Sequence, residues 1–269
     1  MTQNQINLFD MFDEVAEIFA RKFLIDTSNE HEELNSLKSA YYNSLAVDYS
    51  SYLRKYVYLK NFAPRHALIW RTYMRLKKQV KMDKRPVWQL NTIGTGPASE
   101  VVGVLESTVW GANSPQIKVA CLESDQTWHE AGSIVAELYF AKTGRSLHLS
   151  YTTSANDLIR GAYILGSMVV SDLSRAGTAH EVLEDIKKSV TPAEGLFMDT
   201  IVYTQPSGMT AFVSEQLSAY RLGRYVNFKE EGIGDMMKAE MERELAAMSR
   251  ESQIDPSTEF SMNAIPVQF

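Results

Sequence analysis

From residue 87 onward the chain alternates short apolar runs with amphipathic stretches, the pattern expected of a mostly parallel sheet with helices on both faces. Five strands are read at 87–93, 117–122, 146–151, 162–170 and 195–203. The stretches 99–109, 127–143 and 178–190 have helical spacing, and the last two lie where crossover helices must run. A helix near 209–220, a strand at 225–229, a helix near 235–248 and a closing strand at 260–269 follow, so the sheet is expected to finish with an antiparallel pair. Pro266 in that closing strand predicts an edge position or a bulge. Met236, Met237, Met241, Leu245 and Met248 form a stripe of the kind that packs against a core.

The part before Pro86 reads as helical. Leu8, Met11, Phe12, Val15, Ile18, Phe19 and Phe23 recur at helical spacing, apolar residues recur again over 37–47, and a helix resumes over 67–80 after the break at Pro64. The expected division is therefore an N-terminal helical lid or interaction segment, 1–85, and a ligand-binding α/β domain, 86–269. No apolar run approaches the roughly 20 residues of a membrane-spanning helix, and the first residues carry no signal pattern, which makes the cytoplasm the expected location and a membrane partner unexpected. The single cysteine, Cys121, lies within an apolar run and reads as a buried hydrophobe. Net charge is −6, yet residues 51–85 hold eleven Lys and Arg against one acid, Asp83. That stretch also carries Tyr52, Tyr56, Tyr58, Phe62, Trp70 and Tyr73, so it could contact phosphates and stack bases, or be a helical cap whose charges face acidic neighbours.

The chemistry concentrates at Val87-Trp88-Gln89-Leu90-Asn91-Thr92-Ile93-Gly94-Thr95-Gly96-Pro97-Ala98-Ser99-Glu100, a strand running into a glycine turn and then a helix. Glycines at the carboxyl end of a first strand let backbone and a nucleotide-like ligand approach closely. The next strand ends in Glu123, followed by Ser124, where an acidic side chain can accept from both hydroxyls of a ribose. The spacing between the two leaves room for one helix and one connection.

In these two features the chain resembles the class I S-adenosylmethionine-dependent methyltransferases, whose first motif runs strand, acid, then G-x-G-x-G. The resemblance covers roughly 87–203 and implies a Rossmann-like methyltransferase fold: a mostly parallel seven-stranded sheet with an antiparallel closing strand, preceded by the helical segment. It implies S-adenosyl-L-methionine as cofactor, with Gly94, Thr95, Gly96 and Pro97 around its methionine part and Glu123 with Ser124 at its ribose. Ser154 or Asn156 would stand near the adenine, and Gly166 and Ser167 beside the sulfonium and the substrate. Three departures stand out: Thr92 where the motif has its acid, Ala98 where it has a third glycine, and Ser154 where an adenine-side Asp is common.

A methyl transfer to oxygen or nitrogen needs an aligned acceptor and a proton acceptor. Candidates at the carboxyl ends of strands four and five are Asp172, His180 and Tyr203, with Asp172 the expected acceptor contact; His129 would sit near the cofactor edge. No Asn-Pro-Pro-aromatic motif follows the fourth strand, and no His or Cys cluster suggests a metal. Three functions fit: a methyltransferase for a small-molecule acceptor, favoured by the acidic net charge; an RNA methyltransferase using 51–85, including Lys77, Lys78, Lys81 and Lys84; and a catalytically silent scaffold. The apolar stripe of the first helix leaves a homodimer interface open.

Overall fold

The computed structural model describes residues 6–42, 47–77, 87–107, 116–200, 202–204, 210–222, 224, 226–228, 232–249 and 262–269. Four helices come first: α1 (Leu8–Lys22), α2 (Glu30–Tyr42), α3 (Tyr52–Asn61) and α4 (Ala63–Lys77). In α1 the Asn7 side chain caps the first turn by accepting from the Asp10 N–H at 3.1 Å, and Arg21 and Lys22 close the last turn, where the helix dipole favours cations. Its predicted stripe is real: Leu8, Met11, Phe12, Val15 and Phe19 are fully buried against α3, α4 and α6 (Trp128–Thr143). Each such side chain contributes roughly 1.5–3 kcal/mol relative to exposure, so packing rather than propensity holds this helix. Pro64 separates α3 from α4 by sitting near the start of α4, where a missing N–H costs nothing.

The main sheet has seven strands in the order β3-β2-β1-β4-β5-β9-β8: β1 (Val87–Ile93), β2 (Gln116–Leu122), β3 (Leu147–Thr152), β4 (Tyr163–Ser167), β5 (Glu194–Thr200), β8 (Val226–Asn227) and β9 (Met262–Gln268). The first five pair in parallel, while β9 runs antiparallel to both β5 and β8. This is the fold class expected. The connections are α5 (Ser99–Glu106), α6, a short 3-10 turn at Ala155–Asp157, and the pair α7 (Val169–Arg175) and α8 (Ala179–Val190). Two buried clusters cover the sheet: one joins α1, α3, α4, α5, α6 and α10 (Ile233–Ala247) to one face, and the other gathers α7, α8 and residues such as Ile164, Phe197 and Ile265. The helical segment thus shares a core with the sheet, and α4 packs directly on α5.

Several expectations need correction. The fourth strand stops at Ser167, and the residues read as its end begin α7. Strand five stops at Thr200. Tyr203 belongs to β6 (Val202–Thr204), which pairs with β7 (Thr210–Phe212) in a separate two-stranded ribbon, and the helix expected over 209–220 shrinks to α9 (Val213–Gln216). Pro266 is not on an edge strand, because β9 lies between β5 and β8. Its carbonyl accepts from the Leu222 N–H at 2.8 Å, so its nitrogen also faces away from β5 and no bond of that ladder is lost. Met237, Met241 and Leu245 are buried as the stripe predicts, while Met236 is exposed. Pro86 lies outside the described residues.

Candidate active site

The strand order reverses between β1 and β4, and in open α/β sheets ligands bind at the carboxyl ends beside such a switch point. The glycine turn sits there. Gly94, Gly96 and Ala98 all have positive φ, +61°, +48° and +62°, so the turn needs left-handed backbone at alternate positions, and Ala98 adopts the conformation its glycine counterpart would. A Cβ on Gly94 would meet Val169 Cγ2 at 2.7 Å, whereas one on Gly96 would meet only Trp128, at 4.0 Å. Gly94 is therefore required by close packing against α7, and Gly96 leaves space above the turn.

The turn is tied to the ends of β2 and β3. The Gly94 N–H donates to the Leu122 carbonyl at 2.9 Å, the Gly96 N–H to Glu123 Oε2 at 2.9 Å, and Tyr151 Oη to the Gly96 carbonyl at 2.7 Å. Gly132 of α6 makes room for that tyrosine, since a Cβ there would stand 2.2 Å from its hydroxyl. Beneath the turn, Thr92 Oγ1 lies 3.2 Å from Thr95 Oγ1 and donates to Glu100 Oε1. Glu100 is buried, and that burial pushes its carboxyl up to about 7 against the opposing hydrogen bond from Thr92. A buried carboxyl is thus present under the turn, supplied by the helix instead of by the strand position that Thr92 occupies.

Glu123 is also nearly buried, and burial raises its carboxyl while the N–H groups of Asp125 and Gly96 pull it down. Oε2 carries the Gly96 bond; Oε1 carries the Asp125 N–H at 2.9 Å and the Ser124 hydroxyl at 3.4 Å. Once the exposed Ser124 hydroxyl turns to solvent, each oxygen keeps one acceptor position, which is what a ribose diol requires. The residues present therefore fit an adenosyl cofactor.

The helical segment forms the opposite wall. Lys55 is fully buried, pairs with Asp125 Oδ2 at 2.8 Å and lies 5.4 Å from the centre of the Trp128 ring. Trp128 meets Tyr49 and Tyr58 edge to face, at 5.6 and 5.5 Å. Tyr58 Oη and His66 Nδ1 are 2.8 Å apart, and the hydroxyls of Tyr41 and Tyr49 are hydrogen-bonded. Burial, helped by the Arg65 charge, lowers His66 to about 4, so the ring is neutral at pH 7. Burial also pushes Tyr41, Tyr49 and Tyr58 well up, and the Asp172 charge acts on all three hydroxyls. Asp172 itself stands on α7 with a side chain 62% exposed, paired with Arg175, and faces this tyrosine group.

Of the residues read from sequence, Gly94, Thr95, Gly96 and Pro97 in the turn after β1 are brought together with Glu123 and Ser124 just past β2. Gly166 and Ser167 end β4 beside it, although Gly166 is already required by Phe197, whose ring would stand 2.4 Å from a Cβ. Ser154 caps the 3-10 turn by accepting from the Asn156 N–H, and Asn156 Oδ1 accepts from Ser189. His180 is exposed on α8, with Glu184 of the same helix as its charged neighbour. Tyr203 lies on the separate ribbon, and His129 packs on Tyr151 at 5.5 Å. Glu100, Tyr151, Tyr41, Tyr49 and His66 were not singled out from the sequence, and Tyr58 was read only as one of a row of aromatic residues. Gly132 inside a helix was the available hint for Tyr151, because a mid-helix glycine marks close approach.

The basic stretch turns inward. Arg54 pairs with Glu33, Lys60 with Glu30, Arg71 with Glu240 and Glu244, and Arg75 with Glu240. Tyr56, Trp70 and Tyr73 are core residues. Phosphate binding and base stacking find no support among the described residues; Lys78, Lys81, Lys84 and Arg85 lie outside them. A surface cavity bordered by Trp88, Arg160, Tyr163, Glu194 and Gln268 is at the amino ends of β1, β4 and β5, opposite the glycine turn. Among the described residues no group of His, Cys, Asp and Glu could hold a metal, and no helix is long and apolar enough to cross a membrane.

No family model and no curated protein sequence matches the chain. Solved structures align with it at low identity. The pyocyanin biosynthetic protein PhzM covers 95% of this chain and 72% of its own, at 12% identity and a TM-score of 0.48. The mycolic acid cyclopropane synthase CmaA1, complexed with SAH and CTAB, covers 75% and 84% at 10% identity and 0.41. A SAM-dependent methyltransferase from Aquifex aeolicus covers 76% and 92% at 13% identity and 0.41. Likenesses this distant assign no substrate or residue role, and it is the chain's own strand order, turning back at β1 and β4 and closing with antiparallel β9, that gives it the Rossmann-like methyltransferase fold.

Proposed function

We propose that this protein binds S-adenosylmethionine at the Gly94–Gly96 turn and Glu123 and transfers its methyl group to an oxygen or nitrogen of a small-molecule acceptor. The observation that carries the reading is the Gly96–Glu123 bond at the switch point, which aims a buried carboxylate with free acceptor positions at the open side of the turn. When bound, the cofactor supplies the activated methyl. The chain supplies alignment: Asp172 from α7 and the hydroxyls of Tyr41, Tyr49 and Tyr58 face one another beside the turn, and Tyr58 Oη shares a hydrogen bond with Nδ1 of the neutral His66; in the tautomer with the ring proton on Nε2 the hydroxyl donates, and its oxygen is then open to the acceptor's X–H. The departures at Thr92 and Ala98, which suggested a silent scaffold, are compensated by Glu100 and by the left-handed backbone of Ala98.

Isothermal titration tests the reading. Micromolar binding of S-adenosylmethionine that Glu123→Ala removes supports it, and an inert wild type returns the protein to the scaffold reading.

A further inference from the structure

At the amino ends of the strands the sheet leaves a cavity of about 400 Å³, within the size range of small-molecule sites. β1 pairs with β2 along its whole length but with β4 only from Leu90 onward, so Val87–Gln89 run past the start of β4 and border the cavity. The turns before β4 and β5 border it too, and they are bonded to each other. The Gly161 N–H donates to the Val190 carbonyl at 3.0 Å, and Arg160 Nε to the Thr191 carbonyl at 2.9 Å. Tyr163, Glu194 and Gln268 complete the lining. Glu194 pairs directly with Gln268, and Tyr163 precedes Ile164, the partner of Gly195. The three therefore stand side by side on one face of β4, β5 and β9, about 4.8 Å apart from strand to strand.

Two opposite charges border this cavity without meeting. Its bond to Thr191 holds the Arg160 guanidinium in place, and among the described residues no acceptor takes its two Nη groups and no cation or donor takes the Glu194 carboxylate. Burial, with the Glu194 charge beside it, pushes Tyr163 up to about 12, so its hydroxyl is a donor at pH 7. A simple ion would answer one of the two charges and leave the other. A molecule that carries both, close together, answers both at once. We propose that this cavity binds a free α-amino acid with a polar side chain, its carboxylate on the Nη groups of Arg160, its ammonium on Glu194 and its side chain against Gln268 and Tyr163. The glycine turn lies at the opposite ends of the same strands, and the inference is independent of the cofactor reading.

Ligand-observed NMR titrations of the full chain with L-serine, L-asparagine and L-glutamine test the proposal. At least one should bind with a Kd of about 1 mM or below, a modest affinity because both charges are solvated. Its N-acetyl derivative, which lacks the ammonium, and its carboxamide, which lacks the carboxylate, should each bind about 10-fold or more weakly, the size of one charge-assisted hydrogen bond. Glu194→Gln should weaken the amino acid by a similar factor and leave the N-acetyl derivative unchanged. Arg160→Gln should weaken both and leave the carboxamide unchanged. Both side chains are exposed, so the fold should tolerate these changes, and Gln268→Trp, which fills the cavity from β9, should abolish binding as a third variant. No binding of any of the three amino acids up to about 10 mM overturns the inference, as does binding that all three variants leave unchanged. Binding of that second kind, if Glu123→Ala removes it, belongs to the glycine turn.

Discussion

Two strand-to-helix turns border the site, and they solve the same problem by different means. After β1 the chain uses Gly94 and Gly96 to reach positive φ, and a carboxylate just past the end of β2, Glu123, binds the turn. After β4 it reaches the left-handed region at Met168, φ +59°, with no glycine, and the first N–H groups of α7 are satisfied by Asp199 of β5: Oδ2 accepts from Val170 at 2.8 Å and from Ser171 at 3.0 Å. The first turn announces itself by composition. The second depends on a carboxylate about thirty positions away, which is why the apolar residues 168–170 read as strand when they start a helix. A glycine turn legible in sequence and a carboxylate cap invisible in it differ in how local their partners are.

The largest effect expected from breaking this pair is at the second turn. Asp199→Ala leaves two buried N–H groups of α7 without an acceptor and should cost about 3 kcal/mol in denaturant unfolding; a loss below about 1 kcal/mol would show that α7 is capped some other way. At the first turn, the sign of the pH dependence sets Glu100 apart. Its folded carboxyl is raised to about 7 from an ordinary value of 4.5, so the folded state holds a proton the unfolded chain has lost. That contribution to stability is fully present below about pH 4.5 and is lost as pH rises through about 7. Unfolding free energies from pH 4 to 8 should therefore fall in the wild type relative to Glu100→Gln, by about 3 kcal/mol across the window. Parallel curves would contradict the buried, unpaired carboxyl.

Within the glycine turn the two glycines should separate. Gly94→Ala adds left-handed strain and a clash with Val169, for a loss of about 3 kcal/mol, while Gly96→Ala adds strain alone, about 1 kcal/mol. Equal losses would mean that Val169 yields freely. The smallest effect is a gain: Ala98→Gly relieves a left-handed alanine at the start of α5 and should stabilise the protein by roughly 0.5 kcal/mol, the net of relief and added chain entropy.

How much was readable follows from the same distinction. The bounds of β1 and the burial of the α1 stripe were legible because each depends on its own residues. The turn and Glu123 were legible because glycine and an acid at a strand end carry local meaning. Glu100 was not, since an acid early in a helix is ordinarily a solvated dipole partner, and only the packing of α4 and α5 reveals that it is buried. The Tyr58–His66 pair escaped for a related reason: their stretch reads as basic, and the arrangement of acids that absorbs its charge comes from α2 and α10. Tyr203 was misplaced because β-propensity runs on past Thr200, where the chain leaves the sheet.

The most direct test of the central claim is a crystal structure with S-adenosylhomocysteine bound. The account predicts the ribose hydroxyls on the Glu123 carboxylate and the amino-acid part over Gly94–Gly96, with Trp128 and Tyr58 beside it. A ligand bound at the amino ends of the strands, between Trp88 and Arg160, or ribose hydroxyls that leave Glu123 untouched, would contradict it.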